Sequence, residues 1–72
     1  MNRPRKGDRI RLGGGLRVVV VRQRRHELFV RFLSAPRHLV LPLLYVDEGV
    51  TWARGWNTRA AQALLVAAAL SR

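Results

Sequence analysis

Cysteine is absent from this 72-residue chain, and only four of its residues are acidic. Without thiols the chain can form no disulfide, no cysteine-ligated zinc or iron–sulfur site and no thiol nucleophile. Long apolar runs are also missing, since the longest, residues 63–70, falls well short of the ~20 residues that a membrane span needs. The basic N-terminus is not followed by the apolar stretch of a signal peptide. These absences predict a soluble, cytoplasmic protein with no membrane partner.

Side chains suited to catalysis are few and scattered. The four acids lie at a strand start, at a hairpin base and together in one turn: Asp8, Glu27, Asp47 and Glu48. The two histidines, His26 and His38, are separated by a predicted strand, and neither has a further ligand nearby in the sequence. No serine or threonine lies in a motif that would activate it. The sequence therefore predicts a protein that is not an enzyme, with no catalytic residue, no metal site and no cofactor.

What the chain has in excess is positive charge, almost all of it arginine. Fourteen residues are Lys or Arg, Lys6 is the one lysine, and the formal net charge is +10. Ten of these cations and two acids fall within residues 1–31, so the front half carries +8 and the rest of the chain +2. Such a field attracts polyanions, and the planar guanidinium binds phosphate bidentately and stacks on flat groups. The charge distribution predicts that the front half contacts nucleic acid.

The front half alternates like half-buried strands. Ile10 and Leu12 alternate with arginines, and a glycine turn at 13–15 follows. The run at 18–21 is valine on both faces, which requires the helix or another subunit to cover its second face. In the strand at 27–33, Phe29 points away from the apolar side and is a candidate for a contact surface or dimer seam. Residues 22–26 are predicted to form a hairpin tip that projects three arginines as phosphate contacts, Arg22, Arg24 and Arg25.

The back half ends in a helix. Pro42 cannot donate to a ladder, so the apolar strand at 38–46 is predicted to lie at an edge or to end there. Asn57 or Thr58 caps a helix that is apolar on every side and is therefore expected to be buried, with Leu64 and Leu65 in the core or in a subunit seam. Trp52 and Trp56, just before it, suit either base stacking or packing of the helix onto the sheet.

These patterns predict one domain that is mainly β with one C-terminal helix, a small SH3-like barrel of four or five strands. Its parts are a basic N-terminal arm (1–8), a β region (9–52) and the helix (57–71). Supporting features are the Gly7-Asp8 opening, two long strands after it and the Leu41-Pro42 bend. A core this small seldom supplies more than about 3–5 kcal/mol, so we expect a homo-oligomer or a partner to add stability.

Residues 5–46 also resemble the carbon storage regulator family of small bacterial RNA-binding proteins. The residues that match that family's opening, strands and turn are Lys6-Gly7-Asp8-Arg9-Ile10-Arg11-Leu12-Gly13, Val18, Val20, Val30-Arg31, Ala35-Pro36 and Val40. The resemblance implies an intertwined β dimer as the alternative fold and RNA as the ligand, with Arg3, Arg5, Lys6 and Arg31 near the RNA face. Leu43 stands where the family's GGA-reading arginine would fall, and Leu44 replaces the acid after it. The specific recognition is therefore not carried over.

Two functions of different classes follow. The first is a nucleic-acid-binding regulator, for RNA rather than DNA, with these contacts: Arg3, Arg5, Lys6, Arg9, Arg11, Arg22, Arg24, Arg25 and Arg31. The second is a protein-interaction module that modulates or inhibits a larger machine, such as a transcription or translation complex. Its interface residues are Phe29, Trp52, Trp56, Leu64 and Leu65. Salt-dependent nucleic-acid binding would indicate the first, and a complex insensitive to nuclease the second.

Overall fold

The computed structural model of the chain describes residues 3–35, 39–46 and 49–70. These described residues form five strands, a 3-10 turn at Gly13–Gly15 and one helix. The elements are β1 (Arg9–Arg11), β2 (Arg17–Arg24), β3 (Glu27–Phe32), β4 (Val40–Val46), β5 (Gly49–Trp52) and α1 (Thr58–Leu70). All neighbouring strands are antiparallel and pair in chain order, and the sheet curls into a half-barrel. The predicted fold class, mainly β with one C-terminal helix, is confirmed.

The core lies on the inner, concave face of the sheet, against the helix. Every fully buried side chain in the described residues is apolar: Leu16, Val18, Val20, Leu28, Val30, Phe32, Leu41, Leu43 and Ala61. The register explains the set, because Val18 pairs with Phe32 and Val20 with Val30, which places all four on one face. The alternation predicted for residues 27–33 is therefore confirmed, with Phe29 on the other face.

Pro42 lies in the interior of the sheet, which contradicts the prediction that its strand is at an edge or ends there. β4 runs through Pro42 and lies between β3 and β5. The Pro42 carbonyl accepts from the Ala53 amide on the β5 side, and β5 ends at Trp52, opposite Leu43. The N and C=O of one strand residue point to the same side, so the Pro42 nitrogen also faces Ala53. This pair keeps the Ala53 N–H bond and lacks only the reciprocal one, at the point where β5 ends.

The helix is buried along one side only, which corrects the expectation that it is buried all round. Asn57 caps it, its Oδ1 accepting from the Ala60 amide at 2.8 Å. Ala61 is buried, and Leu64 and Leu65 are half-buried against the core. The opposite stripe, at spacings of three and four residues, is exposed: Ala63, Val66, Ala67 and Leu70. The half-barrel offers a single concave face, so only one stripe can dock. In the part of the chain that is described, no helix is long and apolar enough to cross a membrane.

The helix also contacts the glycine turn between β1 and β2, at the far end of the sheet from β5. Gln62 Nε2 donates to the Gly14 carbonyl at 2.9 Å. Gly14 has φ +74°, and a Cβ there would overlap the side chains of Gln62 and Thr58. Glycine at this position thus lets the last element of the chain close onto the first hairpin.

We predict that Gly14→Ala destabilises the fold by more than about 1 kcal/mol, because both the backbone conformation and the helix contact oppose a Cβ. Urea denaturation monitored by tryptophan fluorescence measures the change. Gly13→Ala is the matched control, since a Cβ there meets open space and φ is not positive. Equal stability of the two variants would contradict a role for Gly14 in docking the helix.

Candidate nucleic-acid interface

Strand register brings the front-half arginines onto one surface, the outer, convex face of the sheet. In the β1–β2 pair, Ile10 and Val18 face the core, so the residues on either side of them face outward. In the register of this pair, Arg9 lies opposite Val19 and Arg11 lies directly opposite Arg17. Directly opposed strand residues have Cβ atoms about 5 Å apart, so in the last pair two arginine side chains leave neighbouring strands from adjacent positions on the same face.

A β-bulge adds two more arginines to this face. The register between β2 and β3 shifts between Val20 and Arg22, so that Val21 is an extra residue in β2. Without the bulge, Arg22 would point inward, as Val20 does two residues before it. With it, Arg22 lies opposite Phe29 and Arg24 opposite Glu27, on the outer face.

Six outward arginines of β1, β2 and β3 together form the arginine face: Arg9, Arg11, Arg17, Arg22, Arg24 and Arg31. All are exposed except Arg31, which is half-buried and donates from Nη1 to the Phe32 carbonyl at 3.3 Å. Glu27 shares the face, yet within residues 3–35, 39–46 and 49–70 no carboxylate forms an ion pair with any of the six. No carboxylate of the described residues therefore neutralises the charge of this face.

Two open hollows lie among the arginines of β1 and β2. The first, about 280 Å³, is lined by Arg9, Arg11 and Arg17 together with Ile10 and Leu33. The second, about 320 Å³, lies between Arg11, Arg17 and Gly15. Guanidinium groups around an open hollow can donate to one phosphate from several directions.

The other predicted contacts surround this face unevenly. Arg5, Lys6 and Asp8 form a turn in which the Arg5 amide donates to Asp8 Oδ2, and the Gly7 amide donates to the Val20 carbonyl. The predicted N-terminal arm is thus tied to β2 over its last residues. Arg3 is half-buried, and its Nε has no hydrogen-bond partner.

The hairpin tip is shorter than the predicted segment 22–26. Arg24 still pairs with Glu27, which leaves Arg25 and His26 as the connecting residues, and Arg22 lies in the strand. Arg25 has φ +54°, a left-handed conformation that costs a non-glycine residue about 1–3 kcal/mol. Arg25 therefore projects at the end of the hairpin, beyond the arginine face.

The predicted protein-interface residues separate into two groups. Trp52, Trp56, Leu64 and Leu65 pack against the core on the inner side, and Trp52 Nε1 donates to Thr58 Oγ1 at 3.2 Å. Phe29 lies on the outer face, where the Arg22 guanidinium carbon is 4.6 Å from the centroid of its ring. The structure thus places Phe29 with the arginines and the tryptophans with the helix.

Arg17 is the residue of this surface that sequence reasoning left out of the candidate contacts. It precedes an uninterrupted valine run, so alternation within the strand does not indicate its direction. Only the register of β2 with β1 shows that Arg17 faces outward beside Arg11.

Comparison of the chain with protein-family models, with curated proteins and with solved structures gives no match.

We predict that Arg17→Gln stabilises the fold by about 0.2–1 kcal/mol at low salt, because directly opposed like charges on neighbouring strands destabilise a sheet. Thermal denaturation at low and high salt measures it, and added salt should stabilise the wild type more than the variant. Arg54→Gln, at an exposed turn position outside the sheet and the helix, is the control. A lower melting temperature for Arg17→Gln at low salt would show that this pair is not repulsive.

Proposed function

We propose that this protein binds nucleic acid, and RNA in particular, through the arginine face. The observation that carries the proposal is the Arg11–Arg17 pair, set directly opposite each other beside Arg9 and without an ion-pair partner in the described residues. Like charges on directly opposed strand residues oppose folding, and a bound polyanion offsets that cost. The arginine pair takes no part in the core, because all the buried side chains of the described residues lie on the other side of the sheet or in the helix.

The chemistry is phosphate binding by guanidinium groups. Arg9, Arg11 and Arg17 surround one hollow, and Arg24 and Arg25 lie at the far end of β2, so a phosphate backbone can follow the strand direction. Contacts of this kind position a nucleic acid without reading its sequence. RNA is favoured because of the resemblance to the carbon storage regulator family. That family's GGA recognition is not expected here, since Leu43 is buried.

The dependence of affinity on salt tests the proposal. We expect the wild type to bind a fluorescein-labelled single-stranded RNA with log K falling linearly as log salt rises. Each phosphate contact should contribute about −0.7 to the slope for a single strand, so Arg11→Gln combined with Arg17→Gln should flatten it by about 1.4 units. Fluorescence anisotropy over a range of salt concentrations measures both slopes.

Arg54→Gln combined with Arg59→Gln is the matched control. It removes the same charge from two exposed positions outside the sheet and should leave the slope nearly unchanged. Equal flattening by the two double variants would show that net charge alone attracts RNA. Absence of salt-dependent binding in the wild type would refute the proposed function.

A second candidate function, protein interaction, is favoured by the outward stripe of α1. Val66 is 58% exposed and Leu70 81%, and with Ala63 and Ala67 they form one continuous apolar side. Each copy of the chain carries the same stripe, so two copies can pair it across a twofold axis. This contact lies on the helix, away from the arginine face, and is compatible with RNA binding.

We expect sedimentation velocity at micromolar concentration to show a dimer for the wild type. Val66→Ser combined with Leu70→Ser should shift it to a monomer that is still folded by circular dichroism, because neither side chain is in the core. A wild type that sediments as an 8.2 kDa monomer would exclude self-association through the stripe.

A further inference from the structure

The bulge in β2 creates a pair of side chains that the phosphate contacts do not explain. It turns Arg22 outward to lie opposite Phe29, with the guanidinium carbon 4.6 Å from the ring centroid. This is the geometry of a cation–π contact. Bulges commonly re-aim a side chain at a functional position. Here the result is a flat cation held on an aromatic ring at a solvent-facing site.

Phe29 is not needed by the core. The inward positions of β3 are filled by Leu28, Val30 and Phe32, each at most 1% exposed, and they complete the core without it. Phe29 is half-buried on the outer face, and Arg22 above it is exposed. The ring of Phe29 therefore lies on the solvent side of the sheet, where a ligand can reach it.

The neighbours of this pair specify the kind of ligand. Arg24 and Arg31 belong to the same face, and across the sheet Phe29 lies opposite Pro42 of β4. The site thus offers a flat stacking surface with Arg24, Arg31 and the carboxylate of Glu27 around it and an apolar strand beside it. A nucleobase, with a flat apolar face and an attached phosphate, has the matching chemistry.

We propose that Arg22 and Phe29 form a base-stacking site, which makes the preferred ligand a single-stranded nucleic acid with unstacked bases. In a duplex the base faces are covered by their neighbours and cannot reach a side-chain plane. This inference rests on the proposed function, because the arginine face supplies the phosphate contacts that bring the strand to the site. Arg22, expected from the sequence to contact phosphate alone, contacts a base here.

The experiment compares three labelled probes of equal length: oligouridylate, an abasic ribose-phosphate oligomer and an RNA duplex. The abasic probe keeps the phosphates and removes the bases. We expect the wild type to bind oligouridylate about 5- to 150-fold more tightly than the abasic probe, the range for one stacked base. Phe29→Leu should remove this difference while leaving the salt slope unchanged, because the number of phosphate contacts stays the same.

Arg22→Lys is the second variant, and it leaves the aromatic ring and the core in place. It keeps the charge but loses the guanidinium plane, so the preference for oligouridylate over the abasic probe should fall. Arg24→Lys is the matched control, the same change two residues along the strand, and should retain the preference. A loss in Arg22→Lys without a loss in Arg24→Lys supports the stacking site even if Phe29→Leu does not fold.

The outcomes separate this inference from the proposed function. Equal, salt-dependent binding of oligouridylate and the abasic probe by the wild type would overturn the stacking site and leave phosphate binding intact. Tighter binding of the duplex than of oligouridylate would also overturn it. Failure to bind any of the three probes would overturn both, and would favour the protein-interaction function.

Discussion

The pairing of β2 with β3 sets Val18 against Phe32 and Val20 against Val30, and these four buried side chains hold the centre of the core. Because successive strand residues point to opposite faces, this apolar contact also fixes the direction of every neighbour. A slip of one residue would exchange the two faces and bury arginines, at a cost far above the stability of so small a domain. Burial of valine and phenylalanine on the inside thus determines where the positive charge lies outside.

The arrangement of that charge opposes the stability of the fold. Arg11 and Arg17 face each other, and Arg25 occupies a left-handed backbone conformation in the hairpin turn. A ligand that binds only the folded state stabilises it by an amount that grows with the logarithm of its concentration relative to its Kd. Polyanion binding and folding are therefore coupled in the proposed function, since the same phosphate contacts would relieve the repulsion that the register creates.

The helix gives the molecule a second, separate surface. Its inward stripe completes the core through Ala61, and its contact with Gly14 joins the last element of the chain to the first hairpin. The outward stripe takes no part in either contact. The proposed nucleic-acid contact on the convex face of the sheet and the proposed protein contact on the helix use different residues, so one small domain has room for both.

The local sequence determined those parts of the protein in which the residue pattern is compatible with only one structure. The alternation in β3 sends Leu28, Val30 and Phe32 inward and Phe29 outward, as period-two spacing requires. Charge clustering also located the basic half of the chain. Asn57 and the alanine-rich segment after it likewise predicted a capped helix close to the observed Thr58–Leu70.

Tertiary structure decided the parts in which the local pattern is ambiguous. The valine run of β2 has no alternation, so its inward residues, its bulge and the outward direction of Arg17 and Arg22 were set by pairing with β1 and β3. The helix is apolar all round, and the shape of the half-barrel chose which stripe to bury. Pro42 is tolerated inside the sheet because β5 ends beside it. In each case the structure was decided by a contact with another strand or with the sheet. The neighbouring residues in the sequence do not predict that contact.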